Sequence, residues 1–227
     1  MKTNSKISVV IPTLNAAATL PATLAALGPM DDILSEIVVA DGGSEDRTPE
    51  IAQTAGVRLI TAARGRGQQL AAGIALATGE WLLLLHADTR LDQGWRDTVA
   101  THIRDNPDKA GYFRFVLDSA DPRARRLERL VAWRCRVLAL PYGDQGLLLH
   151  RDTLRLAGGM RALPLMEDVD LIKRIGRRHL TGLDAEAVTS AAKWERDGWY
   201  RRSGRNLVCL ALWHLGVPPG RIAQIYR

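Results

Sequence analysis

The sequence predicts an α/β protein: a mostly parallel central sheet flanked by helices, with a smaller mixed lobe and C-terminal helices after it. Three observations predict this. Four short, mainly apolar runs, at 7–11, 37–40, 57–60 and 82–85, read as strands, and the last has no polar alternation, as in a strand buried on both faces. Helical patterns separate the runs, and strand–helix repeats build parallel sheets with helices on both faces. Asp41 and Asp88 stand just past two of the strand ends, where sheets of this kind bind their ligands.

In chain order, the first strand precedes a helix over "TLPATLAAL", with Pro21 tolerated in its first turn and Gly28 as its stop. The second runs into "DGGSEDRT", where Thr48 and Pro49 fit the N-cap and first position of the next helix. After the third, "AARGRG" leads to the helix "QQLAAGIALAT", closed by Gly79, and then to the leucine run. Beyond Pro107 the pattern changes. "AGYFRFVLD" partly alternates, as a strand exposed on one face does. "DPRARRLERLVAWRCRVLAL" reads as a basic helix with Leu127, Leu130, Val131 and Leu138 on its apolar stripe. A turn at "YGDQG", a strand "LLLH" and a helix opened by "MEDVD" follow. No repeat or long linker intervenes, so one domain over 1–227 is expected, with lobes at 1–106 and 107–190 and a helical segment at 191–227.

Composition sets the outer bounds. The 227 residues are 46% hydrophobic and 25% charged, ordinary for a globular protein with one substantial core. A net charge of +6 favours an anionic partner, whether phosphate-bearing ligand, membrane surface or nucleic acid, without choosing among them. Cys135 and Cys209 both lie in apolar helical patterns, so a disulfide framework is not expected and a reducing cytosol is. Pro12 breaks the first apolar run, which is therefore not read as a signal peptide. The stretch 207–215 is too short to span a bilayer.

Three acidic sites carry the chemistry. Asp88 ends the buried run in "LLLLHADT". A carboxylate in a water-poor crevice is a hard oxygen ligand suited to Mg²⁺ or Mn²⁺, and such an ion neutralises a departing diphosphate. From spacing alone, Asp88 capping the next turn with His86 in the core is the stronger reading. After the second strand, the paired glycines in "ADGGS" let backbone approach a flat ligand, and Asp41 can accept from a base N–H. Asp46 and Thr48 read as helix-capping residues. Arg64 and Arg66 precede a helix N-terminus and suit phosphate, or are solvated loop arginines. In "LMEDVDLIKR", Glu167, Asp168 and Asp170 cluster at a helix start. The helix dipole accounts for one or two of them, and one facing the crevice would deprotonate a hydroxyl. "GRGQQL" fails as a dinucleotide fingerprint because Leu70 replaces the third glycine, and no P-loop or zinc motif occurs.

Together, "SVVIPTLN", "EIVVADGGSEDRT", "RGRGQQLAAGIALATGEWLLLLHADT", "GDQGLLLHRDTLRLAGGM" and "LMEDVDLIKR" resemble family 2 glycosyltransferases, inverting enzymes of the Rossmann-like GT-A fold. The ordered set covers about residues 5–180 and looks closest to a bacterial subgroup marked by "LHADT", "YGDQG" and a late Trp194-Glu195-Arg196. The resemblance implies a nucleotide-sugar-binding half at 1–106 and a catalytic and acceptor half at 107–190. It makes Asp41 the base contact, Asp88 the metal and diphosphate ligand, and Asp168, with Glu167 beside it, the catalytic base. Pro12, Asn15, Gly43, Arg64, Arg66, Gln68 and Ala87 join the donor side. Asp144, Gln145 and Trp194 fall on the acceptor side, the "GDQG" segment also being open to an ordinary hairpin turn. His86 departs from the family, which places aspartate there. Imidazole ligates Mn²⁺ and suits Mg²⁺ poorly, so His86 is a weak metal candidate expected beside the ion.

The implied reaction is a single displacement from a nucleoside diphosphate sugar, with a divalent cation, Mg²⁺ or Mn²⁺, as cofactor. A sugar nucleotidyltransferase is the first rival, but it needs a Gly-rich basic loop where "PTLNAAATL" stands. A non-catalytic nucleotide-sugar-binding protein is the second, opposed by the presence of both Asp88 and Asp168. Arginines over 123–136 and 201–205 flank apolar helices. The leading reading packs 207–215 on the core; the other docks it on anionic lipid at the inner face of the membrane, beside a lipid-linked acceptor. Nucleic acid is not expected as a partner, since no binding module is recognised.

Overall fold

The computed structural model describes residues 6–226. β1 (Ile7–Thr13), β2 (Leu34–Asp41), β3 (Arg58–Thr61) and β4 (Trp81–Leu84) lie parallel in the order β3-β2-β1-β4. They are joined by α1 (Leu20–Leu27), α2 (Thr48–Thr54) and α3 (Arg66–Leu76). Every residue of β1 and β4 is buried, as expected of mainly apolar runs. The polar exceptions in β1 are paired: Ser8 donates to Glu36 at 2.6 Å and Thr13 to Asp41 at 2.9 Å. Side chains alternate across a strand, so Leu83 and Leu85 pack with α1 and Val9 on one face. Leu82 and Leu84 pack with Val10 and Leu70 on the other. Burying each such leucine stabilises the fold by roughly 2 kcal/mol.

The second half extends the same sheet. β5 (Thr89–Leu91), α4 (Trp95–Asp105), β6 (Ala110–Leu117), α5 (Pro122–Leu138), β7 (Leu147–His150) and α6 (Arg151–Leu156) come first. α7 (Glu167–Ile175), β8 (Leu180–Thr189), α8 (Ala192–Asp197), α9 (Trp199–His214) and α10 (Pro219–Tyr226) complete the chain. The sheet continues β4-β7-β6-β8-β5, with β7 and β5 antiparallel to their neighbours. That reversal places the site. Leu84 at the end of β4 faces Leu147 at the start of β7, so the turn before β7 lies beside the residues that follow β4.

Several local expectations shift. Thr48 is not the cap of α2: Asp46 accepts the Thr48 N–H at 3.0 Å, while the Thr48 hydroxyl accepts the Ala16 N–H at 2.7 Å. On α5 the buried positions are Ala124, Val131 and Cys135, whereas Leu130 and Leu138 point outward. The expected stripe was displaced because larger leucines outweighed the small residues that pack on β6. The stretch 207–215 does not pack as a unit either: Cys209 is buried, but Leu207, Val208 and Leu215 are exposed. "YGDQG" forms a single 3₁₀ turn at Gly143–Gln145. Both cysteines are free and buried in helices.

Candidate active site

A cleft opens beyond the carboxyl end of β4. His86 and Asp88 follow that strand, Tyr142 and Asp144 come from the turn before β7, and Asp168 is the second residue of α7. Arg66, the first residue of α3, forms one wall. Lys193 and Trp194 of α8, Arg202 of α9 and Tyr226 of α10 close over the opposite side. The cleft is open to solvent on one side, with a volume of about 120 Å³. Arg66, Leu165 and Tyr226 also border a wider groove of about 1010 Å³, lined further by Pro12, Arg64 and Gln68.

Charge in the cleft is layered. Arg66 pairs with buried Glu167, and its Nη1 lies 3.4 Å from Nε2 of His86. Burial opposes the Arg66 charge, but the Glu167 and Asp168 carboxylates hold it firmly protonated. Burial lowers the His86 imidazole to about 4, and Arg66 pushes it the same way. His86 is therefore neutral at physiological pH. Asp168 is ionised: burial works against it, but Arg66 and the amides of Gly143 and Val169, both at 2.8 Å, keep its carboxyl below the usual range. Glu167 is raised by burial, against the pull of Arg66. Asp144 is the outlier. Burial pushes its carboxyl up to about 6, with Arg134 opposing and Asp168 adding to the rise.

Backbone geometry serves the same residues. A Cβ on Gly143 would stand 2.7 Å from Nε2 of His86 and 3.2 Å from Oδ2 of Asp168, so a side chain there would push the turn off the carboxylate it holds. Met166, just ahead of α7, has φ of 64°, the left-handed region that non-glycine residues rarely adopt. It turns the chain so that α7 starts with Glu167 and Asp168 against the cleft. Five buried polar atoms at this site have no hydrogen-bond partner among the described residues: Oδ1 of Asp144, Oε2 of Glu167, Nε1 of Trp194, Nε of Arg202 and Oδ1 of Asn206. Orphans of this kind are rare in folded proteins, and their concentration marks a place built for a ligand.

The sequence matches the family described as Glycosyl transferase family 2 over residues 8–163, well over half of the chain. The chain belongs to glycosyltransferase family 2. Among curated relatives, the PGL/p-HBAD biosynthesis glycosyltransferase of Mycobacterium bovis is 42% identical over 100 residues, 41% of this chain and 38% of that protein. Glucosyl-3-phosphoglycerate synthase of Mycobacterium tuberculosis is 29% identical over 97 residues, 38% of this chain and 30% of that protein. The aligned stretch thus spans well under half of the curated relatives it matches. Among solved structures, residues 1–349 of S. aureus TarS superpose with a TM-score of 0.66 at 15% identity, covering 97% of this chain and 69% of that one. A complex of the same protein holds UDP-GlcNAc. The M. tuberculosis synthase with Mn²⁺, UDP-glucose and phosphoglyceric acid superposes at 0.57 and 20% identity, over 83% of this chain and 71% of that one. The fold is the GT-A glycosyltransferase fold.

Within this family 2 chain the expected residues divide into three groups. His86, Asp88, Asp144, Asp168 and Trp194 line one cleft, with Glu167 behind them on Arg66. Pro12, Arg64, Arg66 and Gln68 border the adjoining groove. The rest do other work. Asp41 is 5% exposed, and its carboxylate accepts from Thr13 at 2.9 Å, the Ser44 hydroxyl at 2.5 Å and the Gly43 and Ser44 amides at 3.0 and 2.8 Å. Those four bonds fill both oxygens, so a base N–H would have to displace one of them. Asn15 clamps the same loop, its amide donating to Ser44 and its Oδ1 accepting from Glu45. Ala87 is buried, with its carbonyl accepting from Thr23 at 3.0 Å. Gln145 corrects its expectation: it points away from the cleft, donating to the Phe113 carbonyl at 3.1 Å and accepting from Tyr142 and Arg134 at 3.2 Å each. An amide that holds a turn together from inside is indistinguishable in sequence from one offered to a ligand.

Lys193 went unrecognised. Its Nζ lies 2.8 Å from Oδ2 of Asp88, holding that carboxyl below its usual range against the effect of burial. Its place directly before Trp194 was the available signal. Among the described residues no three His, Cys, Asp or Glu side chains form a metal cage. A divalent ion at Asp88 would thus draw its other ligands from phosphate and water, as Mg²⁺ commonly does. The Lys193 ammonium already rests on Asp88, so an ion would have to displace it from this carboxylate.

Proposed function

We propose that the protein transfers a sugar from a nucleoside diphosphate sugar to an acceptor hydroxyl, with inversion, Asp168 being the general base. One observation carries this: Asp88 and Asp168, from unconnected segments, face one cleft at the carboxyl edge of the sheet, among buried polar atoms that lack partners. The nucleotide lies in the groove of Pro12, Arg64 and Gln68, with its diphosphate toward Arg66 and Asp88. The UDP-sugar complexes of the two structural neighbours support a nucleoside diphosphate sugar as donor. A divalent cation at Asp88, Mg²⁺ or Mn²⁺, supplies charge neutralisation for the departing diphosphate when bound, and the Mn²⁺ complex of the synthase supports it.

The chain's own groups account for the rest. Lys193 leaves Asp88 and is free to pair with phosphate. Asp168 accepts the acceptor's proton on the oxygen facing the cleft. The bonds that keep it ionised leave it able to accept that proton. Neutral His86 lies beside Arg66 without adding charge.

Thermal unfolding with nucleoside diphosphates and their sugars, with and without Mn²⁺, tests the reading. At a hundred times the dissociation constant a donor stabilises by about 2.7 kcal/mol, a rise of roughly 5–10 °C at this chain length. Product analysis should then show free nucleoside diphosphate. Nucleoside triphosphate formed from pyrophosphate would instead identify a nucleotidyltransferase, and no shift with any sugar nucleotide ends the proposal.

A further inference from the structure

The two helices that flank the cleft turn apolar faces to solvent. On α5, Leu130 and Trp133 are 52% and 53% exposed, and Val137, one turn on, continues the stripe. The buried side of the same helix is accounted for by Ala124, Val131 and Cys135. On α9, Tyr200 and Leu207 are 74% and 60% exposed, and Leu215, just past its end, is 79% exposed. With Gly204, Val208 and Ala211 they repeat every three or four residues, which is one helical face. Its buried side is Trp199, Arg202 and Cys209. Each helix therefore carries a second apolar face that the fold does not use, and soluble proteins rarely leave such faces bare.

Charge identifies what fits them. Arg126, Arg129 and Arg136 are exposed beside the α5 stripe. Glu128, the acid of that helix, turns inward to Arg125 and the Leu117 amide. On α9, which has no Asp or Glu, Arg201 is exposed, while Arg202 and Arg205 turn inward to pair with Asp197. Apolar side chains edged by arginine, with tryptophan and tyrosine among them, match the headgroup boundary of an anionic bilayer. No helix among the described residues is long and apolar enough to cross a membrane, so contact would be lateral. Both helices also touch the cleft: Arg134 of α5 stacks 3.5 Å over Tyr142, and Arg202 of α9 lines the wall.

We propose that the outward faces of α5 and α9 dock the protein on anionic lipid. Resting on the transferase reading, one step more follows: the acceptor hydroxyl is presented from the bilayer. Docking itself is independent of that reading and is tested without nucleotide or acceptor. The full chain is sedimented with vesicles of phosphatidylcholine alone or of equimolar phosphatidylcholine and phosphatidylglycerol. Binding to the anionic vesicles that weakens with salt is expected, with little on the neutral ones. Replacing Leu130 and Trp133, or Leu207 and Leu215, by glutamate should weaken it more than about tenfold. Arg126→Glu and Arg129→Glu should each weaken it at least about fivefold. These positions are exposed, so unchanged melting temperatures certify the fold. No binding at low salt, or binding that ignores the glutamates, overturns the proposal. So does a dimer in light scattering that the glutamates dissociate, since the faces would then serve a second copy. Either failure leaves the transferase reading standing, because that is judged by nucleotide binding and turnover.

Discussion

Asp41 and Asp144 are both aspartates at the carboxyl edge of one sheet, and they are treated in opposite ways. Around Asp41 the chain supplies four donors within hydrogen-bond reach, and the carboxyl stays below its usual range although burial opposes it. Around Asp144 it leaves Oδ1 bare, and burial carries the carboxyl up to about 6. The first region is finished when the chain folds. The second is finished when something enters the cleft. A polar residue's location near the site thus says less about its role than the count of partners already on it. By that measure the Asp41 loop is complete without a ligand, and the unsatisfied polar atoms gather where α7, the 143–145 turn and α8 meet.

The largest effect should separate the two regions outright. Asp168→Asn keeps the shape of the side chain and its bond from the Gly143 amide while removing the base. Turnover should fall by about 10²–10⁴-fold, with donor-induced stabilisation retained. Full activity would remove Asp168 from the base role and shift attention to Asp144. Asp41→Ala should do the reverse. It strands the Gly43 and Ser44 amides and two hydroxyls, a loss of about 3 kcal/mol, or roughly 6–12 °C in melting temperature. Activity of the protein that remains folded should change far less than in Asp168→Asn. An unchanged melting temperature with abolished donor binding would show that Asp41 serves the ligand, and the contrast would collapse.

Sequence legibility follows the same divide. β2 and β4 were plain because four consecutive apolar residues have few other uses, and β1 because only Ser8 interrupts its run. β8 was missed although Leu183, Ala185, Ala187 and Thr189 alternate inward, since alanine carries little hydrophobic signal. α4 was missed because its buried side is Trp95, Val99 and His102, two of the three being ambiguous alone. In the site, Asp88 and Asp168 were readable as acids at element ends. The pairs that give them their charge state were not. Arg66–Glu167 and Lys193–Asp88 join residues about a hundred positions apart, and no local pattern encodes such a meeting.

The smallest predicted effect concerns Asp144 itself, and its sign is definite. Its carboxyl titrates near 6 in the folded chain against 3.8 when unfolded. The folded state therefore binds the proton more tightly, and Asp144 is harmless to stability below the lower value. As pH rises through 6 the group must either ionise in a poor environment or keep its proton against the solution, and stability is lost. Asp144→Asn cannot ionise. Its melting temperature should match the parent near pH 4 and exceed it by pH 7, with an upper limit of about 3 kcal/mol from the two-unit shift. Water entering the cleft would reduce that gain without reversing it. A variant less stable than the parent at pH 7 would mean that the Asp144 carboxylate already has a good partner in the resting protein. The cleft would then be as self-satisfied as the Asp41 loop, and partner counting would no longer distinguish site from scaffold.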